Sequence, residues 1–156
     1  MGEAAKILVI DDDENIRKVL NTILEDEGYI VDTAETAKES IEKSENSFYN
    51  LALIDVRLPD MEGIELLSKL RDTKPKMRKI IVTGYPTLQN AIAAVNKGAD
   101  AYIVKPFEVD KILEIIREQL KKQKEESHYS EEKVVEFIET RIKALEATGK
   151  KATKKA

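Results

Sequence analysis

Four positions carry groups that could act together on a phosphoryl group, and each closes an apolar run. Asp11, Asp12 and Asp13 follow Lys6-Ile7-Leu8-Val9-Ile10. Asp55 follows Leu51-Ala52-Leu53-Ile54, and Pro59 soon blocks any continuation of that run as a strand. Thr83 follows Ile80-Ile81-Val82, and Lys105 follows Ala101-Tyr102-Ile103-Val104. Clustered carboxylates repel, and desolvation adds to the cost. A divalent cation at the same place removes that cost. With carboxylates, carbonyls and water as donors, the expected ion is Mg²⁺ (or Mn²⁺). Such an ion takes one phosphoryl oxygen, Lys105 a second, and Thr83 donates a hydrogen bond to a third. A carboxylate nucleophile, a metal, a lysine and a hydroxyl suit phosphoryl transfer onto Asp55, with an acyl phosphate as product. Each residue alone has an ordinary reading: a solvated aspartate loop, a strand-end threonine, a surface lysine. The set, each member at a strand end, is specific.

Those groups meet only if the runs that carry them lie side by side. Short apolar runs bounded by turn signals read as strands buried on both faces. Between them lie helical patterns. Ile16, Val19, Leu20, Ile23 and Leu24 form an apolar face that ends at Gly28. A second, partly exposed strand covers Tyr29–Thr33, and a weaker helix covers about Ala37–Glu45. A third helix is expected over Glu62–Arg71 with Ile64, Leu67 and Leu70 on one face. Thr87 is the expected N-cap of a helix to Asn96 with a small apolar face of Ala91, Ile92 and Val95, ended by Gly98. The last helix of the series begins near Glu108 and carries Val109, Ile112, Leu113, Ile116 and Leu120. Five strands alternating with five helices call for a parallel sheet covered on both faces. In such a sheet the carboxyl ends of the strands share one edge, where ligands bind.

Composition narrows the chemistry further. The 156 residues contain no cysteine and one histidine. Disulfides, thiol catalysis and thiolate metal sites are excluded, and a Ser-His-Asp triad has almost nothing to work with. His128 lies in a polar segment and reads as a solvated side chain without a role. No run approaches the length of a membrane span, and Met1 leads into a strand too soon for a signal peptide, so a cytoplasmic location is expected. The net charge of −4 is uneven: residues 1–120 carry 16 Lys/Arg against 23 Asp/Glu, and residues 121–156 carry 10 against 7. The acidic front is no nucleic-acid surface, and nucleic acid is not an expected partner.

The motifs Ile7–Asp13, Leu53–Gly63, Ile81–Gly84 and Gly98–Phe107, in this order, resemble the receiver domain of two-component response regulators over about residues 5–122. The resemblance implies a flavodoxin-like fold, a doubly wound five-stranded sheet of order 2-1-3-4-5. It implies that Asp55 is the phosphoacceptor for a sensor histidine kinase or phosphotransfer protein. Asp12, Asp55 and the backbone carbonyl of Arg57 would hold the metal, with Asp11 ligating through water. Thr83 and Tyr102 would form a switch pair, and Lys105 would pair with the phosphate. Arg57 and Tyr85 lie where the family tunes phosphoryl lifetime. Pro59, Gly63 and Pro106 shape the turns, the Lys105-Pro106 bond being usually cis in the family. A downstream protein would dock on residues 87–118. The protein would catalyse only its own phosphorylation and dephosphorylation.

The expected organisation is a receiver domain over 1–122, a linker and C-terminal helix over 123–148, and a Lys-rich flexible tail over 149–156. Ser130 reads as the N-cap of the extra helix and Gly149 as its end. Val134, Val135, Ile138, Ile142 and Leu145 fall near heptad spacing, so this helix packs back, pairs with another chain as a homodimer, or is the stump of a longer protein. The competing functions are a constitutive dimerisation or scaffold module and a truncated N-terminal part of a larger response regulator. A flavodoxin-like electron carrier would need a Ser/Thr/Gly phosphate loop where this chain has three aspartates. A phosphohydrolase would place its nucleophile at the first strand.

Overall fold

The apolar runs become parallel strands in the computed structural model, which describes residues 4–155, with the side chains of 129, 130 and 146–155 outside the description. The chain divides into two units, residues 1–123 and 124–156. In the first, β1 (Lys6–Ile10), β2 (Ile30–Ala34), β3 (Leu51–Asp55), β4 (Arg78–Thr83) and β5 (Ala101–Val104) form one sheet of order β2-β1-β3-β4-β5. All neighbours are parallel. The order matches the expectation; β2 is displaced by one residue from the sequence reading, and β4 starts one residue earlier.

Alternation along the strands divides the core in two. Leu8, Ile10, Ala52, Ile54 and Ile81 face one side, under α2 (Ala37–Asn46), α3 (Gly63–Leu66) and α4 (Leu88–Asn96). Ile7, Val9, Leu51, Leu53, Ile80, Val82 and Ile103 face the other, under α1 (Glu14–Asp26) and α5 (Val109–Lys155). Helix starts follow the capping chemistry. Asp13 accepts the backbone N–H groups of Asn15 and Ile16, Thr36 that of Glu39, and Thr87 that of Asn90. Gly28 and Gly98, just past α1 and α4, have φ of 91° and 95°, where a side chain would be strained.

Three expectations need correction. The helix expected over Glu62–Arg71 is only the four residues of α3. The Leu67 carbonyl, which an α-helix would give to the N–H of Arg71, instead accepts Lys79 Nζ at 2.6 Å. The Arg71 N–H turns to Ser44 Oγ at 3.3 Å. Leu67 and Leu70 are nevertheless buried. Next, Val19, Ile92 and Val95, read as core, are exposed. In α4 the buried residue is Ala94, flanked by half-buried Ala91 and Ala93. Alanines let the helix approach the sheet closely, so its larger side chains point outward. Finally, α5 runs from Val109 to Lys155 through both Ser130 and Gly149, so neither the new start nor the end appears there. Residue 156, the last of the expected tail, lies outside the described residues. His128 is exposed and lies 2.9 Å from Glu132 one turn on.

At the amino edge of the sheet, buried Gln123 donates to the carbonyls of Asn50 and Lys76 and accepts from Asn50 Nδ2. Asn50 Oδ1 in turn accepts the Lys6 N–H. One glutamine thus ties α5 to the backbone at the entry to β3 and in the loop before β4.

Candidate functional site

The carboxyl edge of the sheet gathers the residues singled out by their spacing. Asp55 ends β3, and Asp11 and Asp12 follow β1, its hydrogen-bonded neighbour. One carboxylate oxygen from each of Asp11, Asp12 and Asp55 lies within 4.8 Å of the others. Lys105, just past β5, reaches over the edge to them. Its Nζ lies 2.8 Å from Asp11 Oδ2 and 3.7 Å from Asp55 Oδ2. Thr83 ends β4 and is fully buried. Its Oγ1 accepts the Tyr85 N–H at 2.9 Å, which leaves its own proton free to be donated.

Electrostatics set Asp55 apart. Burial and the facing Asp11 carboxylate push its pKa up to about 6, against the opposing pull of Lys105 and the Arg57 N–H. That N–H sits 3.3 Å from Asp55 Oδ1. An all-oxygen donor set around a carboxylate that resists ionisation fits a hard divalent cation, whose charge would relieve both desolvation and repulsion. Asp13, the third aspartate, faces away as the α1 cap.

Tyr102 lies on β5 opposite Ile81 of β4, with its ring packed against the α2–α4 side of the core. Its hydroxyl is buried without a hydrogen-bond partner. Packing alone positions this side chain. Arg57 and Tyr85 are both exposed and touch each other: the guanidinium carbon lies 3.8 Å from the centre of the Tyr85 ring. Gly63 lies where no side chain fits. A Cβ there would stand 2.0 Å from the Asp55 carbonyl oxygen, while the Gly63 N–H donates to the Val56 carbonyl at 2.7 Å. Pro59 is exposed in the loop after β3, and the Lys105-Pro106 bond is cis, as is Lys74-Pro75.

Sequence reasoning missed two supports. Arg17 donates to the Asp11 carbonyl at 2.7 Å and pairs with Glu35 at 3.0 Å, bracing the loop after β1. Asp60 accepts the N–H groups of Ala37 and Lys38, each at 2.9 Å, so the loop after β3 caps α2. Those bonds hold its carboxyl below the usual aspartate range. Both residues were in plain view as charges near the motif, but their partners are 18 or more residues away in the chain for Arg17–Glu35 and 22 or more for Asp60.

A family profile, the response regulator receiver domain, matches residues 7–117. The chain belongs to that family. This receiver is similar to a solved receiver domain protein (CheY-like) from Methanospirillum hungatei JF-1, with 50% identity and a TM-score of 0.76 over 79% of this chain and 98% of that one. It is also similar to a response regulator protein from Burkholderia pseudomallei, solved with a phosphorylated aspartic acid, calcium ion and citrate. The identity there is 34% and the TM-score 0.66, over 70% of this chain and 64% of that one. Among curated relatives, the response regulator ArlR of Staphylococcus saprophyticus is 35% identical over 118 residues, which cover 76% of this chain and 53% of ArlR. The chain thus spans about half the length of the first curated relatives it matches. Among the described residues, no helix of this receiver is long and apolar enough to cross a membrane.

Proposed function

We propose that this receiver is a cytoplasmic, phosphorylation-activated switch that takes a phosphoryl group from a sensor histidine kinase or phosphotransfer protein onto Asp55. The observation that supports it best is the half-buried Asp55 carboxylate, within 4.8 Å of Asp11 and Asp12 and 3.7 Å from Lys105. Asp12, Asp55 and the Arg57 carbonyl would hold Mg²⁺, with Asp11 acting through water. Bound there, the ion supplies positive charge against the transferring phosphoryl oxygens. Asp55 attacks phosphorus, a P–O bond forms, and the P–N bond to the donor imidazole breaks with its electron pair leaving on nitrogen. Lys105, already divided between two carboxylates, turns its ammonium to a phosphoryl oxygen. Thr83 donates its free hydroxyl proton to another.

The switch would follow from those two contacts. Drawing Thr83 toward the phosphoryl group changes the room beside Tyr102, whose hydroxyl no bond restrains. That biases two arrangements of one packed face. Residues 87–118 would form the output face, where Leu88 is 77% and Val95 70% exposed, an unusual outlay of apolar surface. The stacked Arg57 and Tyr85 stand two residues past Asp55 and Thr83 in the chain and would set phosphoryl lifetime by controlling water.

The test is titration with fluoroberyllate, a stable phosphoryl mimic, followed by amide NMR. The expected result is a saturable shift of Thr83, Tyr102 and α4 signals that requires Mg²⁺. Unchanged spectra with both present would contradict the proposal.

A further inference from the structure

The second unit leaves an aliphatic stripe in water. Val135, Ile138, Ile142 and Leu145 are spaced three, four and three residues apart, which is the a-d-a-d pattern of two heptads, and Val134 flanks them at g. All lie on α5, and all are about half exposed or more, from Ile138 and Ile142 at 49% to Leu145 at 60%. A lone helix cannot bury this stripe on itself. The residues beside it say what does.

In this register the e positions are Glu132, Glu139 and Glu146, and the g positions are Ser127, Val134, Arg141 and Thr148. An antiparallel partner of the same sequence would set e against e, glutamate facing glutamate. A parallel, in-register partner sets each e against the g of the preceding heptad. Glu132 then meets serine, Glu139 meets valine and Glu146 meets arginine, so repulsion is replaced by one attraction and two neutral contacts. Of the two a/d layers, Ile142 at a with Leu145 at d is the combination that favours two strands over three. The seam is bounded. Upstream, His128 and Glu131 would occupy a and d; downstream, Gly149 and Ala152 would.

We infer that residues 134–146 bind the same segment of a second copy of this chain as a short, parallel, in-register two-stranded coiled coil. Two heptads associate weakly by themselves. The contact therefore tethers two receivers and raises their effective concentration, so that any phosphorylation-dependent pairing of the receivers adds to it. The inference stands on the helix alone and does not depend on chemistry at Asp55.

The absence of native cysteine makes the test clean. Single variants Val135→Cys, Ile138→Cys and Leu145→Cys of the full chain are oxidised mildly, and sedimentation of the parent is followed across the micromolar to millimolar range. Each variant should cross-link to itself, and the parent should pass from one-chain to two-chain mass as concentration rises. Ile138→Glu should weaken self-association at least about tenfold, since it would set two buried carboxylates face to face. Arg141→Glu should weaken it too, and adding Glu146→Arg should restore it. A parent that stays monomeric, with no self-cross-linking, overturns the inference. So does cross-linking only in a mixture of Val135→Cys and Leu145→Cys, which would mark an antiparallel pair. Phosphorylation of Ile138→Glu by acetyl phosphate is measured alongside: its failure bears on the phosphoswitch reading, and its success leaves the dimer result to stand alone.

Discussion

An ionised Asp55 works against the fold. Its pKa, up at about 6 from the ordinary 3.8, means the folded chain holds the Asp55 proton more tightly than the unfolded chain does. The sign follows from linkage: a carboxyl whose folded value is raised destabilises the fold fully above that value, and the penalty fades as pH falls toward the unfolded value. Asp55→Asn should therefore raise Tm in the presence of chelator at neutral pH, and the gain should vanish near about pH 4. Added Mg²⁺ should narrow the gap by stabilising the parent. Calorimetry over that pH range checks it; an Asn variant of unchanged or lower Tm at neutral pH would contradict it. Gly63 gives a second handle. Its missing side chain is what allows the Asp55 carbonyl to approach, so Gly63→Ala should cost about 2 kcal/mol or more in urea unfolding and slow phosphorylation as Asp55 shifts.

Among the elements, the strands were readable because their signal is local. Four apolar runs, each ended by a polar residue, sufficed to place Asp11, Asp55, Thr83 and Lys105 along one edge. The end of α3 was not readable, because it is decided by Lys79 and Ser44, side chains from other elements that take over the bonds of Leu67 and Arg71. The facing of α4 was misread for a related reason: periodicity marks an apolar stripe but not whether small residues win the sheet side. Asp60 shows the same long reach, since its carboxylate caps a helix that precedes it in the chain. Asp60→Ala should lower stability by about 1 kcal/mol, typical of a lost cap. Because its folded pKa is depressed, the contribution exists above the ordinary 3.8 and is lost as pH falls through the folded value. The parent–variant difference in Tm should therefore shrink in acid.

For the molecule as a unit of signalling, both edges of the sheet matter. The amino edge is closed by Gln123, whose three hydrogen bonds to Asn50 and Lys76 join α5 to the entry of β3 and to the loop before β4. Gln123→Ala should cost about 1 kcal/mol by removing these bonds, and should speed hydrogen exchange at Arg78, whose N–H bonds the Asn50 carbonyl. The carboxyl edge carries the chemistry. Family membership follows from residues 7–117, and the electron-carrier and phosphohydrolase alternatives find no support in it. Whether Asp55 takes the phosphoryl group is answered by intact-protein mass after incubation with acetyl phosphate and Mg²⁺, with Asp55→Asn run in parallel. One added phosphoryl group on the parent, none on the variant and none with chelator is the expected result. An unmodified parent, or an equally modified variant, would contradict the assignment of Asp55 as acceptor.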